Sequence, residues 1–184
     1  MIIKADLHLH SCVSPCGDLF MSPKTIAEEL SSKHIQLAAL TDHNTTLNSP
    51  AFAIHCRNNN VAALYGMEAQ TAEEIHVVTL FTTVEMALDF CAGWYDTLPN
   101  IPNKPEVTGD QIYVDEKDDM PFPAITEHKG TIEFGNKNLK IASISHLPFS
   151  EFNAFMAPLF AIPDTNIVVN FHKDDNIDKI NKLM

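Results

Sequence analysis

Asp6-Leu7-His8-Leu9-His10 follows a short apolar start, Met1 to Ala5, and sets the reading of the whole chain. Met1 to Ala5 reads as a buried strand ending at Asp6. Residues at i and i+2 of a strand share one face, so His8 and His10 present two imidazoles side by side, about 7 Å apart along the strand. Such a pair can chelate a transition ion. On spacing alone it serves equally well as two solvent-facing histidines on an edge strand.

Working outward, Ser22-Pro23 supplies an N-cap followed by proline at the first helical position. A helix over Thr25 to Lys33 continues with Ile26 and Leu30 at i, i+4. Ile35 to Leu40 is a second apolar run of strand length, closed by Thr41-Asp42-His43. Ser49-Pro50 opens a second helix through Arg57, and Asn58-Asn59-Asn60 stops it. Val61 to Tyr65 is a third strand, ending towards Gly66-Met67-Glu68, and His76 to Phe81 is a fourth. Thr83 caps a third helix, with Met86, Phe90 and Tyr95 proposed as one face. Strand and helix alternating from the first residue argue for βαβ units and a parallel sheet. In such a sheet the C-terminal strand ends line the functional face, where both histidine motifs fall.

From Pro99 to Pro123 the texture changes. Five prolines and the acidic patch Asp115 to Asp119 suggest a surface excursion within a single domain over 1–184, with a small strand at Gln111 to Val114. Gly130 to Phe134 reads as a short strand, Leu139 to Ser145 as a better one, Ser150 to Phe160 as a helix and Ile167 to Phe171 as a last strand.

The composition bounds the function. The 184 residues are 45% hydrophobic and 20% charged, ordinary for a folded domain, with a formal net charge of −12. A negative field repels phosphate backbones, so long nucleic acid is not an expected partner. A small phosphorylated substrate remains open, because bound cations reverse the local field. Four scattered cysteines, no apolar run of membrane length and no secretory signal pattern point to a cytoplasmic setting with free thiols and no membrane contact. Oligomeric state is not legible. Cys12 and Cys16 lack the second cysteine pair of a closed zinc site, and neither a Gly-rich phosphate loop nor a Gly-x-Ser-x-Gly elbow is present.

Carboxylate and imidazole accumulate at the strand ends. Glu68 is placed to bridge two cations, and His76 opens an apolar strand run, where it could equally be a core histidine. Imidazoles with a carboxylate suit Zn, Mn or Fe better than Ca or Mg.

Taken in order, Asp6-Leu-His8-Leu-His10, Ser14-Pro15-Cys16-Gly17-Asp18, Thr41-Asp42-His43-Asn44, Gly66-Met67-Glu68 and Glu74-Ile75-His76-Val77 resemble the PHP (polymerase and histidinol phosphatase) family over roughly residues 1–98. The resemblance implies a distorted (β/α)7-type barrel, shortened or incomplete at its C-terminal end. Two or three divalent cations (Zn, Mn or Fe) would sit at the strand C-termini. It implies that His8 and His10 hold a first ion, that Glu68 bridges it to a second held by His76, and that His43 serves a third. Asp18 would take the loop position, with Cys16 as the alternative there. Apart from the resemblance, the adjacency of Asp42 to His43 suggests that its carboxylate orients an imidazole from behind. The implied activity is hydrolysis of a small phosphomonoester or short nucleotide phosphodiester by a cation-bound water that has lost its proton.

The second half departs from the family. Where it usually ends a strand in Pro-Ala-His, this chain has Ile144-Ser145-His146, making His146 the next candidate ligand, with His128 a weaker one. The family's closing Asp-x-His is absent, and Asn170-Phe171-His172 would be its remnant. That departure keeps a second expectation open: a degenerate PHP domain that binds metal or a partner without turnover.

Overall fold

In the computed structural model, residues 2–115, 117, 144–160 and 168–171 are described, the last stretch and residues 153 and 157–160 by backbone only. The strand β1 (Ala5–Leu9) leads to α1 (Pro23–Ser32), β2 (Leu37–His43), α2 (Ser49–Asn58), β3 (Ala62–Gln70) and β4 (His76–Phe81). Then come α3 (Val84–Asp96), the short α4 (Pro105–Thr108), α5 (Phe149–Phe160) and β5 (Val168–Phe171). The five strands form one sheet in sequence order.

The expected parallel sheet holds only as far as β3. β1 pairs β2 and β2 pairs β3 in parallel, but β3–β4 and β4–β5 are antiparallel. The physical reason lies in the connection. Only residues 71–75 separate β3 from β4, too few for the crossover that a parallel pair requires. They close instead as a hairpin, with Thr71 N–H donating to the Ile75 carbonyl at 3.0 Å and Glu74 in the left-handed region at φ 61°. The result is a mixed α/β sheet of partial-barrel type.

Three further expectations need correction. The first strand is Ala5–Leu9, not Met1 to Ala5, and Ile2 and Ile3 are 95% and 51% exposed. Among the described residues β1 is an edge strand, paired with β2 alone. The buried face of α3 is Ala87, Phe90, Cys91 and Trp94, one step round from the expected one. Met86 and Tyr95 flank it, partly buried. The strand expected at Gln111 to Val114 is reduced to one bridge, with Ile112 N–H donating to the Cys12 carbonyl at 2.8 Å. Within the proline-rich segment Ile112 and Val114 are nonetheless buried, against Cys12 and Ala51. The reading at Gly130 to Phe134, the strand expected at Leu139 to Ser145 as far as Ser143, and the histidines His128 and His172 lie outside the described residues; Ile144 and Ser145 are described and are not in a strand.

The helix starts follow the sequence. Ser22 Oγ accepts from Thr25 N–H at 3.2 Å and Thr83 Oγ1 from Met86 N–H at 3.3 Å, each satisfying one of the donors a helix start leaves unpaired. Asn48 stands before α2 without capping it. Its amide bonds Ser11 Oγ and the Ile112 carbonyl, and its Oδ1 accepts Val114 N–H, tying three loops together.

Strand alternation sorts the two sheet faces. One face packs Ala38, Leu40, Met67, Ala69, Val77 and Phe81 against the helices, in a core that includes Trp94, Phe152 and Met156. The other carries a small apolar floor of Ala39, Leu64, Val78 and Leu80. His43, Glu68 and His76 stand on this second face, at its rim. Among the described residues no helix is long and apolar enough to cross a membrane.

Candidate metal centre

Register assembles the site. His43 ends β2 directly opposite Glu68 of β3, and Gln70 pairs with His76. Because β4 runs backwards, its first residue lands on the rim where β2 ends and β3 approaches its end. A parallel fourth strand would have put His76 at the opposite end of the sheet. β1 contributes through an irregularity: its register against β2 shifts between Asp6 and Leu9. Such bulges re-aim side chains beside functional sites. Here His8 and His10 come to a ring separation of 4.9 Å, with Nε2 to Nε2 at 3.0 Å.

Glu68 is the hub. Its side chain is only 3% exposed, yet its charged partners are imidazoles alone among the described residues. His8 Nε2 and His10 Nε2 lie 3.1 Å from Oε2, His43 Nε2 lies 3.5 Å from it, and His76 Nδ1 lies 2.8 Å from Oε1. Burial alone would raise the carboxyl's pKa. Hydrogen bonds from His10, His76 and His8, and the charge of His43, overcome that and hold it far below the usual carboxylate range. Burial pushes His43 down to about 4, opposed by Glu68 and reinforced by the neighbouring imidazoles. Burial also acts to lower His10, but its contacts with Cys16 and Glu68 and the charge of Asp42 carry it up to about 10. The pocket thus holds a carboxylate that calls for positive charge, and a proton on His10 stands in for a cation.

The donor set fits a divalent ion. His8 Nε2, His10 Nε2 and Glu68 Oε2 form a triangle with edges of 3.0–3.1 Å. Ligands bound tetrahedrally at Zn–N and Zn–O lengths would stand roughly 3.3 Å apart. Three groups of donors qualify: His8, His10 and Glu68; His43, Glu68 and His76; and His10, Cys16 and His43. Within each group the donor atoms lie within 4.8 Å of one another.

Not every expected residue joins. His146 is exposed, its backbone N–H bound to the Thr97 carbonyl, and it belongs to none of these groups. Asp18 is also exposed, its Oδ1 accepting Phe20 N–H at 2.8 Å, while Cys16 holds the loop position near His10 and His43. Asp42 is fully buried and reaches no imidazole directly. Its carboxylate accepts Ser11 N–H at 2.6 Å, Ser11 Oγ–H at 2.7 Å and Ser14 Oγ–H at 2.8 Å. Burial raises its pKa, and those hydrogen bonds oppose the rise.

Ser14 and Asn44 stand in the motifs read from the sequence but were given no role there. Ser14 Oγ gives its one hydrogen to Asp42, so it can only accept from the backbone N–H of His43 (3.0 Å) and from His10 Nδ1 (3.1 Å). That accounting fixes His10 as the tautomer protonated at Nδ1 and leaves Nε2 for the cluster. Asn44, at φ 52°, turns the chain after His43. Its Oδ1 accepts Gln70 N–H at 2.9 Å and Trp94 Nε1–H at 2.8 Å, locking the ends of β2 and β3 to α3. Short polar side chains of the type Ser-x-x-x after a histidine strand are too common to single out from sequence.

Residues 6–96 match the family model for the PHP domain. Through these residues the chain belongs to the PHP domain family. The matched span runs from β1 to the end of α3 and includes every member of the cluster. No curated protein sequence matches the chain. Among solved structures, an amidohydrolase from Chromobacterium violaceum, solved with bound sulfate and no metal, is 25% identical. That likeness covers 51% of this chain and 33% of that one, with a TM-score of 0.43, so this chain spans about a third of that protein's length. A protein from Bifidobacterium adolescentis, provisionally designated a metal-dependent phosphoesterase, is 12% identical, with a TM-score of 0.52. It is covered for 75% of its length by all of this chain. At that identity the likeness concerns fold alone, and there it accords with a PHP domain built as a partial barrel.

Proposed function

We propose that this PHP domain is a metal-dependent phosphoesterase, acting on a small phosphomonoester or a short nucleotide phosphodiester. The observation that carries the reading is the convergence of His8, His10, His43 and His76 on the buried Glu68 carboxylate, with no lysine or arginine paired to it among the described residues. A buried carboxylate surrounded by imidazoles is a costly arrangement unless cations complete it.

His8, His10 and Glu68 would hold one ion, and His43 or His76 with Glu68 a second, with Zn, Mn or Fe suited to these donors. When bound, divalent cations supply a nucleophile from water at neutral pH and neutralise charge on the phosphoryl oxygens. The protein's own part is positional. Asp42 holds Ser14, Ser14 fixes the His10 ring, and the short hairpin keeps His76 beside Glu68. The rim is open enough for substrate, since His8 and His76 keep 29% and 27% of their side-chain surface exposed.

The test is hydrolysis of a generic aryl phosphate in Mn²⁺ or Zn²⁺, with a His8→Ala/His10→Ala double variant and Glu68→Gln. Loss of metal-ion electrostatic stabilisation is expected to lower kcat by at least ~10²-fold. Turnover surviving the double substitution defeats the proposal. Stoichiometric metal without turnover favours the other reading, a metal-binding PHP domain that does not hydrolyse.

A further inference from the structure

Every donor grouped at the rim among the described residues comes from positions 8 to 76, yet the chain beyond them reaches the site by another route. Asn48 is completely buried, and both ends of its amide are committed. Its Oδ1 accepts Val114 N–H at 2.9 Å, and its Nδ2 donates to the Ile112 carbonyl at 3.2 Å and to Ser11 Oγ at 2.9 Å. A backbone N–H can only donate and a carbonyl can only accept, so residues 112 and 114 fix which way round the amide stands. Two of these bonds tie loops together. The third, to Ser11, leads into the metal centre.

From Ser11 the direction of each hydrogen follows from the last. Ser11 Oγ receives a hydrogen from Asn48 and gives its own to Asp42 Oδ2 at 2.7 Å. Asp42 Oδ1 takes the Ser14 hydrogen at 2.8 Å, which leaves Ser14 Oγ to accept from His10 Nδ1 at 3.1 Å. Ser11, Ser14, Asp42 and Asn48 are each exposed by 1% or less, so water does not compete for these groups. A polar network satisfied throughout and shut away from water holds each member in one arrangement. Its far end is anchored: Ile112 and Val114 pack with Cys12 and Ala51, and Ile112 N–H donates to the Cys12 carbonyl at 2.8 Å.

We propose that Asn48 is a positioning residue of the metal centre, carrying the fixed direction of two backbone groups in segment 112–114 through Ser11, Asp42 and Ser14 to the His10 ring, so that Nε2 is kept for the cluster around Glu68. The inference rests on the reading of the cluster as a cation site. It gives the proline-rich segment a part in the site that requires no ligand side chain from it. Asn48→Asp has nearly the same shape and keeps an acceptor for Val114 N–H, but it has no hydrogen to give Ser11. The Ser11 hydroxyl then turns towards the new carboxylate, Asp42 loses a donor, and Ser14 is released to reorient.

The full chain, labelled with ¹⁵N at histidine and loaded with Zn²⁺, tests this by nuclear magnetic resonance. In wild type the His10 Nδ1–H is expected as a slowly exchanging ring proton. Asn48→Asp should speed its exchange by at least ~10-fold and weaken Zn²⁺ binding roughly 10- to 100-fold in chelator competition. Ser11→Ala, which cuts the path but leaves Asn48 bound to residues 112 and 114, should act in the same direction. In a Ser14→Ala background, where the path to His10 is already cut, Asn48→Asp should weaken Zn²⁺ binding by less than about twofold more. An Asn48 that only ties loops together would give its full loss there as well. Additive losses, or a His10 ring proton unchanged in Asn48→Asp, overturn the proposal and leave the imidazole–carboxylate cluster as a metal site. A wild-type chain that binds no Zn²⁺ overturns both. If circular dichroism shows Asn48→Asp misfolded, Ser11→Ala, alone and combined with Ser14→Ala, decides by the same criteria.

Discussion

Ser14 shows how one hydroxyl can set the chemistry of a site without touching a substrate. It spends its single hydrogen on Asp42 and accepts from His10 and from the backbone of His43. Ser14→Ala leaves Asp42 short of one donor and frees the His10 ring to change tautomer. The expected outcome is a roughly 10- to 100-fold weaker affinity for Zn²⁺, the usual cost of losing such a supporting partner, measured by chelator competition. An unchanged affinity would mean that Ser14 does not orient the ring. At this scale the sequence was legible where identity alone implied chemistry. His8, His10, Glu68 and His76 were singled out because metal-binding residue types fell at strand ends, and the fold brings these four together. The choice between Cys16 and Asp18 was not legible, since both sit on one loop and only its turns decide which side chain lies near His10 and His43. Asp42 was placed behind an imidazole by adjacency to His43, but it connects to His10 through Ser14, a path that only the three-dimensional arrangement reveals.

Among the elements, the β3–β4 hairpin matters most. The helices α1, α2 and α3 were readable from their Ser-Pro, Ser-Pro and Thr starts, and β2 to β4 from their apolar runs, whereas β1 begins where the apolar start Met1 to Ala5 ends. Strand direction was not readable from pattern, because an apolar run looks the same in a parallel and an antiparallel neighbour. The length of the connection held the answer: residues 71–75 cannot make a crossover. Gly66 permits the hairpin to close. A Cβ there would meet the Thr79 carbonyl oxygen at 2.0 Å and the Thr41 methyl at 3.2 Å, with backbone on one side and a neighbouring strand on the other. Gly66→Ala is therefore expected to destabilise the fold by about 1–3 kcal/mol, as overpacking of a closed core does. Chemical denaturation followed by the fluorescence of Trp94, the single tryptophan, checks it. A midpoint equal to wild type would show that the strands separate at little cost.

For the molecule as a whole, stability should depend on alkaline pH through a region remote from the metal centre. Burial pushes the Cys56 thiol up to about 12, and burial together with the charges of Cys56 and Glu85 raises Tyr65 against the opposing Arg57. Both groups lie in the core between α1, α2 and the sheet. Each ionises more readily in the unfolded chain, so their contribution is complete below the unfolded pKa and is lost as pH rises towards the folded one. Denaturation midpoints should fall between about pH 9 and about pH 12, and Cys56→Ala should flatten that decline. A slope identical in the variant would assign the effect elsewhere. Sequence patterning could not have located this pair, because nothing in Cys56-Arg57 marks the cysteine as packed against a tyrosine on the next strand. The hairpin has one more effect, on how the chain can change over generations. By turning β4 back to the rim, it gathers all the donors grouped among the described residues from positions 8 to 76, within a single contiguous stretch of chain. None of those six side chains comes from the described chain downstream, so a change at Ile144-Ser145-His146 leaves the cradle around Glu68 in place.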